Sequence, residues 1–292
     1  MVTFKFPSKI DIADISEFQE QEKQIRECED EEIDFDFSDI DLVFPFSACF
    51  IAKLFDVVIE NGQAGKVYLP KRSSILSQFH RIGLDTFLDK KQLIKEESVP
   101  NILIQRIISS SNSFTSGLVK LIEEQITLPR WIKESVYFAV HELLLNVDKH
   151  CDVQQGNYIC INTIPTKRLI HICVLDSGIG ILQSFKKNPD YGYLNNDLEA
   201  IHKSLEYGVS SIRDTERGIG LNNLLQLVNS NNGEMQIVSG FGMIEVRSGQ
   251  ISNKSLKYSY QGTIVNLYLN IDEGFKPTFN DWEAGYEKWI VL

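Results

Sequence analysis

An α/β architecture in two units is what the sequence predicts, and three observations predict it. Strand-like and helix-like runs alternate with short links from Val2 to Leu88, the order that builds a small layered unit. A charged stretch from Asp89-Lys90-Lys91 to Glu96-Glu97 then breaks the pattern and reads as a link. Beyond it a second series of apolar strand-like runs alternates with helical periodicity and glycine turns. The predicted organisation is an α/β domain over residues 1–96, a second α/β domain over 97–271 and a tail over 272–292.

Each element has its own signal. Val2–Phe6 and Ile33–Phe37 alternate apolar and polar residues, the period of a half-buried strand. Between them Ile15–Cys28 reads as a polar helix, and Ser47–Glu60 as an apolar one that stops at Asn61-Gly62. Lys66–Pro70 is a short strand, and Ser73 is placed as the cap of a helix carrying Ile75, Leu76, Phe79, Ile82 and Leu84 toward Phe87. In the second unit Asn101–Ile108 is strand-like and Ser113–Ile126 helical. Pro129 opens a helix whose Ile132, Val136, Val140, Leu143 and Val147 recur at helical spacing and should face a core. Tyr158–Ile164 and Leu169–Leu175 read as central strands. Residues 181–217 form a long polar segment enclosing one helical stretch, Leu198–Tyr207, and a loop of that length in a compact domain is expected to be functional. Met235–Ser239, Met243–Val246 and Thr263–Leu269 are the last strand-like runs.

Composition narrows the class. The chain has 292 residues, 43% hydrophobic and 24% charged, as expected of a soluble globular protein. It shows neither an apolar run of membrane-spanning length nor a signal-peptide core, so a cytoplasmic location and no membrane partner are expected. Its five cysteines are odd in number and form no C-x-x-C pair, which supports neither a disulfide framework nor a zinc site. Cys160 and Cys173, in apolar strand-like runs, read as buried thiols. The net charge of −11 is concentrated in residues 11–41, where fourteen acidic side chains face only Lys23 and Arg26. Nucleic acid is thereby disfavoured as a partner, because phosphate contacts need clustered cations. A solvated acidic helix face is the plain reading, and a surface for a basic protein partner the sharper one.

The chemistry concentrates in four places. Glu142 and Asn146 lie one helical turn apart, and Lys149 falls on the same side a turn later. A carboxylate, a carboxamide and an ammonium on one helix face suit a metal–phosphate group. Downstream follow Asp176-Ser177-Gly178-Ile179-Gly180, then Arg217-Gly218-Ile219-Gly220-Leu221, then Gly262-Thr263. Glycines before the helix-like run Leu221–Val228 leave backbone N–H groups open to an anion. Together these features point to a nucleotide pocket.

In this order the motifs resemble the GHKL ATPase/kinase superfamily with the Bergerat fold, closest to anti-sigma-factor kinases and histidine kinases. The likeness covers roughly residues 97–271, and it implies an α/β sandwich with a mixed sheet and helices on one face. It further implies ATP and Mg²⁺ as ligands. By this resemblance Glu142 is the catalytic base, Asn146 the magnesium ligand, and Lys149, with His150 as an alternative, faces phosphate. Asp176 accepts from the adenine amino group, with Gly178 and Gly180 beside the base, Gly218, Gly220 and Leu221 at the phosphates and Thr263 on the adenine side. Segment 181–217 corresponds to the ATP lid. His141, a hundred degrees around the helix from Glu142, is expected to pack instead.

Residues 33–88 also resemble a STAS domain, the fold of anti-sigma-factor antagonists. They depart from it at the phosphorylation turn, which here reads Phe44-Pro45-Phe46-Ser47-Ala48. Ser47 sits at the matching position, although a helix N-cap explains it as well. The two resemblances together imply a Mg-ATP-binding regulator that uses ATP for protein phosphotransfer or slow hydrolysis in a partner-switching role, with a protein partner or a homodimer. An ATP-gated binding or dimerisation module is the alternative. A histidine kinase is the weaker third, since His80 is followed by Arg81 and no helical hairpin precedes residue 130.

Overall fold

The computed structural model describes residues 1–30, 32–89, 103–107, 110–150, 156–211 and 220–271. The chain is mixed α/β, built on one parallel and one antiparallel sheet. The expected link 89–97 and the tail 272–292 lie almost wholly outside the described residues.

Three strands, β1 (Val2–Lys5), β2 (Ile33–Asp36) and β3 (Val67–Tyr68), form the parallel sheet in the order β1-β2-β3. Val2 pairs with Ile33, and Phe35 with Val67. The crossovers are helices α1 (Ile15–Arg26) and α2 (Pro45–Glu60). Sequential strand order with right-handed crossovers puts both helices on one face. Accordingly Phe18 of α1 meets Phe50 of α2 at 5.4 Å between ring centroids. Helix α2 starts two residues before the sequence reading placed it. Pro45 presets its first turn, and Ser47, its third residue, accepts a hydrogen bond from the Phe44 N–H and donates one to the Phe44 carbonyl, both at 2.7 Å. Likewise Arg72, not Ser73, caps α3 (Ser73–Ile82), which ends at Gly83 in the left-handed conformation and is followed by α4 (Leu84–Asp89).

The antiparallel sheet has the order β4-β5-β6-β8-β7, with β4 at Ile104–Arg106, β5 at Tyr158–Ile164, β6 at Leu169–Leu175, β7 at Glu234–Arg247 and β8 at Gln250–Asn270. All four of its strand pairs are antiparallel, so the expected mixed sheet is corrected. Two consecutive helices, α5 (Asn112–Glu123) and α6 (Arg130–His150), join β4 to β5 and return the chain in the opposite direction. The last three strand-like runs belong to one long hairpin, with register shifts at Ser239–Gly242 where Gly240 has φ +59°. Residues 250–262 gave no strand signal because most of their side chains face solvent.

Helices on one face of this sheet were also expected, yet both faces are covered. Every residue of β6 from Ile170 to Leu175 is buried, which requires a layer on each side. Helices α5, α6 and α9 (Gly220–Ser230) pack on one side. On the other lies α2, whose Cys49 thiol donates to the Cys173 carbonyl and whose Phe44 flank meets the His171 ring. Every residue of α2 from Pro45 to Leu54 is buried, as a helix sandwiched between two sheets must be. One continuous core therefore runs from Phe6 to Ile271. Asp56 of α2 closes the seam by accepting from Arg106 Nε at 2.7 Å and from the Tyr158 hydroxyl at 2.5 Å.

The acidic stretch is largely solvated as expected, with Asp14, Glu17, Glu20, Glu27 and Asp39 exposed. Asp34 and Glu22 turn inward instead. Asp34 accepts from the Lys66 N–H at 2.7 Å, and Glu22 meets Lys53 of α2 at 2.9 Å. No helix among the described residues is long and apolar enough to cross a membrane.

Candidate functional site

Helix α6 presents Glu142 and Asn146 because its other face is spent on the core. Ile132, Val136, Val140, Leu143 and Val147 are all buried, as their spacing predicts. His141 packs rather than reacts: it is buried, its ring lies 5.9 Å from that of Tyr137, and its Nδ1 meets the Thr115 hydroxyl at 3.5 Å. Burial pushes the Glu142 carboxyl above the usual carboxylate range, and the Lys149 charge opposes that shift.

The start of α9 meets this face. A Cβ placed on Gly220 would stand 2.4 Å from Glu142 Oε2 and 4.0 Å from Asn146 Nδ2. A larger residue at the first position of α9 would push the Glu142 carboxylate aside, whereas glycine lets the helix start come this close to it. Asn146 Nδ2 is buried with no hydrogen-bond partner among the described residues. A buried, unpaired amide beside the first turn of a helix, whose N–H groups have no intrahelical partner, is a donor set for an anion, while the carboxamide oxygen remains available to a hard cation. Among the described residues there is no cluster of three or more His, Cys, Asp or Glu able to hold a metal by itself. A magnesium ion here would depend on oxygens brought by the ligand, as magnesium bound with phosphate commonly does.

Asp176 forms a second group at the end of β6. Its Oδ1 accepts from the N–H of Gly178 at 2.8 Å and of Thr263 at 3.1 Å, and its own N–H donates to the Thr263 carbonyl at 2.9 Å. Gly262, at φ +107°, lets the hairpin pass so near that a Cβ would stand 2.1 Å from the Asp176 carbonyl oxygen. Gly180, at φ +76°, opens helix α7 (Gly180–Lys186) and packs on Ser239, whose hydroxyl accepts from the Ile181 N–H at 2.9 Å. Burial pushes the Asp176 carboxyl up to about 6, opposed by the Gly178 and Thr263 N–H groups and the charge of Lys53. A carboxylate held in place by two backbone N–H groups keeps further capacity to accept from a ligand donor.

The structure thus gathers Glu142, Asn146 and Gly220 into one group and Asp176, Gly178, Gly180 and Thr263 into another. Leu221 follows Gly220 in α9, and Lys149 and His150 close α6. Gly218 lies outside the described residues. The segment read as a long polar loop is instead largely built. Helix α7 and α8 (Asp197–Ser204) enclose a small core of Leu182, Phe185, Leu194 and Ala200, and Asp197 accepts from the Phe241 N–H at 2.8 Å.

Sequence reasoning missed the groups behind Asp176. Lys53 is 5% exposed, and its Nζ lies 4.8 Å from the Tyr260 ring centroid while paired with Glu22. The Tyr260 hydroxyl donates to the Asp176 carbonyl at 2.9 Å. A lone lysine inside the apolar run Ala48–Leu54 was the available signal. Beside it a cavity of about 580 Å³ opens between α1, α2 and the loops of Gly156 and Ser177, and neither Glu142, Asn146 nor Asp176 lines it. Comparison with protein-family models finds none that matches the chain, and comparison with curated proteins finds no match.

Proposed function

We propose that the protein is a Mg-ATP-binding regulator of the GHKL type, with a Bergerat-fold nucleotide domain joined to a STAS-like unit, that uses ATP for protein phosphotransfer or slow hydrolysis. One observation carries this reading: Gly220 brings the first turn of α9 against Glu142 and the orphaned amide of Asn146, so close that any Cβ there would displace the Glu142 carboxylate. Asp176, fixed by two backbone N–H groups, supplies the matching acceptor for an adenine amino group.

In this scheme Asn146 binds magnesium through its carbonyl oxygen, and the ion supplies charge neutralisation at the phosphates. The N–H groups of Gly220 and Leu221 and the Lys149 ammonium bind phosphate oxygens. Glu142 orients the attacking hydroxyl and takes its proton as the new oxygen–phosphorus bond forms; the bond from the γ-phosphorus to ADP breaks and ADP leaves. The raised proton affinity of Glu142 suits a base working near neutral pH. Ser47 is buried and bonded to Phe44, so an acceptor hydroxyl would come from a partner protein or water.

Labelled ATP tests the proposal, with phosphate release and phosphoprotein formation followed in the wild type and in Glu142→Ala and Asn146→Ala. ATP binding without any turnover, with or without partner proteins, would leave an ATP-gated binding module. Absence of ATP binding would overturn the nucleotide reading.

A further inference from the structure

Building on the nucleotide reading above, we infer that Lys53 of the N-terminal unit is a positioning residue of the adenine site, holding Asp176 in place and in its carboxylate form from the far side of the sheet. The geometry is a short relay. Lys53 Nζ pairs with Glu22 at 2.9 Å and sits 4.8 Å from the Tyr260 ring centroid, and the Tyr260 hydroxyl donates to the Asp176 carbonyl at 2.9 Å. Asp176 is then clamped from the side chain by Gly178 and Thr263 and from the main chain by Tyr260. A buried cation over an aromatic face at the wall of a cavity is held by the ring quadrupole and its counter-ion together.

The cavity beside this relay is also lined by Lys23 of α1, Glu27 at its end, and Asp56 and Glu60 of α2. Helix α2 contributes Lys53, α1 contributes Glu22 with its partner Arg26 at 2.8 Å, and β8 contributes Tyr260. Burial lowers the proton affinity of Lys53, and the pairing with Glu22 opposes that shift without cancelling it. Burial also holds the Tyr260 hydroxyl protonated. Of these groups Lys53 is the cation that opposes protonation of Asp176. An adenine amino group donates, and the carboxylate is its stronger acceptor; the protonated acid keeps an accepting oxygen but adds a competing donor. The N-terminal unit thereby reaches adenine recognition without touching the nucleotide, and a partner that loosens α1 or α2 would weaken ATP binding.

The test is ATP affinity by calorimetry on the full chain at pH 6 and pH 8, for the wild type, Lys53→Gln and Lys53→Arg. Removing a nearby opposite charge raises a carboxyl by about one pH unit. With the Asp176 carboxyl starting at about 6, affinity in Lys53→Gln should fall about fivefold at pH 6 and by a tenth or so at pH 8, following the ionised fraction. Lys53→Arg should stay within about twofold at both. Repeating Lys53→Gln in an Asp176→Asn background should abolish the effect, since the coupling runs through Asp176. Equal losses at both pH values, or a loss that survives in that background, would overturn the inference. If the wild type binds no ATP, the nucleotide reading fails first, and carbon-13 NMR titration of Asp176 still decides the coupling: an unshifted midpoint in Lys53→Gln would refute it. Should Lys53→Gln not fold, Tyr260→Phe serves; it should weaken ATP about threefold or more, and wild-type affinity would break the relay.

Discussion

Replacing Asp176 by Asn should make the protein more stable and a poorer nucleotide binder at once. The amide keeps an oxygen for the Gly178 and Thr263 N–H groups, so the local turn survives. What changes is charge. Burial raises the Asp176 carboxyl from an ordinary 3.8 to about 6. Each pH unit of such a shift corresponds to about 1.4 kcal/mol, so the penalty approaches about 3 kcal/mol at neutral pH. Because the folded-state value is raised, the favourable contribution is full below the unfolded carboxyl value and is lost as pH rises through about 6. Asn carries no such penalty. Its advantage should be near zero at pH 4 and about 1–3 kcal/mol at pH 7.5, allowing for the part of the side chain that reaches solvent. In the same variant an NH₂ group replaces a carboxylate oxygen and confronts the adenine amino group donor to donor, which should weaken ATP about tenfold or more. Thermal unfolding without nucleotide at the two pH values, beside calorimetry with Mg-ATP, reads both changes. A variant no more stable than the wild type at pH 7.5 would refute the burial argument. Unchanged ATP affinity would remove Asp176 from the adenine site.

Three other perturbations separate the remaining roles. Glu142→Ala should bind ATP normally yet lose turnover by about a hundred- to ten-thousand-fold, whereas Asn146→Ala should weaken magnesium-dependent binding; affinity and turnover on both variants decide it. Gly220→Ala puts a methyl 2.4 Å from Glu142 Oε2 and must push the carboxylate aside, so it should impair turnover while leaving far-ultraviolet circular dichroism unchanged; wild-type turnover would show that the close approach of α9 to Glu142 is not needed. Segment 180–205 should resist hydrogen exchange without nucleotide, because Leu182, Phe185, Leu194 and Ala200 anchor it; exchange at loop rates would contradict that core.

The strand and helix alternation, the buried face of α6 and the placement of Glu142 and Asn146 opposite it are legible in the sequence, since hydrophobic period and helical geometry are local properties. The sequence also marks Gly178–Gly180 and Gly218–Gly220 as turns, because left-handed or crowded backbone is written in glycine. What those glycines approach depends on contacts between elements far apart in the chain. Gly220 lies against Glu142 across a helix pair, and Gly262 against Asp176 across a strand pair, and neither separation along the chain carries a periodic signal. The polar segment 181–217 read as a loop because its apolar residues are sparse, yet four of them suffice to close a small core once α7 and α8 fold back on β7. The second face of the antiparallel sheet was the largest surprise. An all-apolar helix such as α2 declares that it is buried but not against what, and the partner it found is the sheet that carries Asp176. Lys53 follows from that choice: a lysine in an apolar run is a warning in sequence, but its counter-ion, its ring and the carboxylate beyond exist only where α1, α2 and β8 converge.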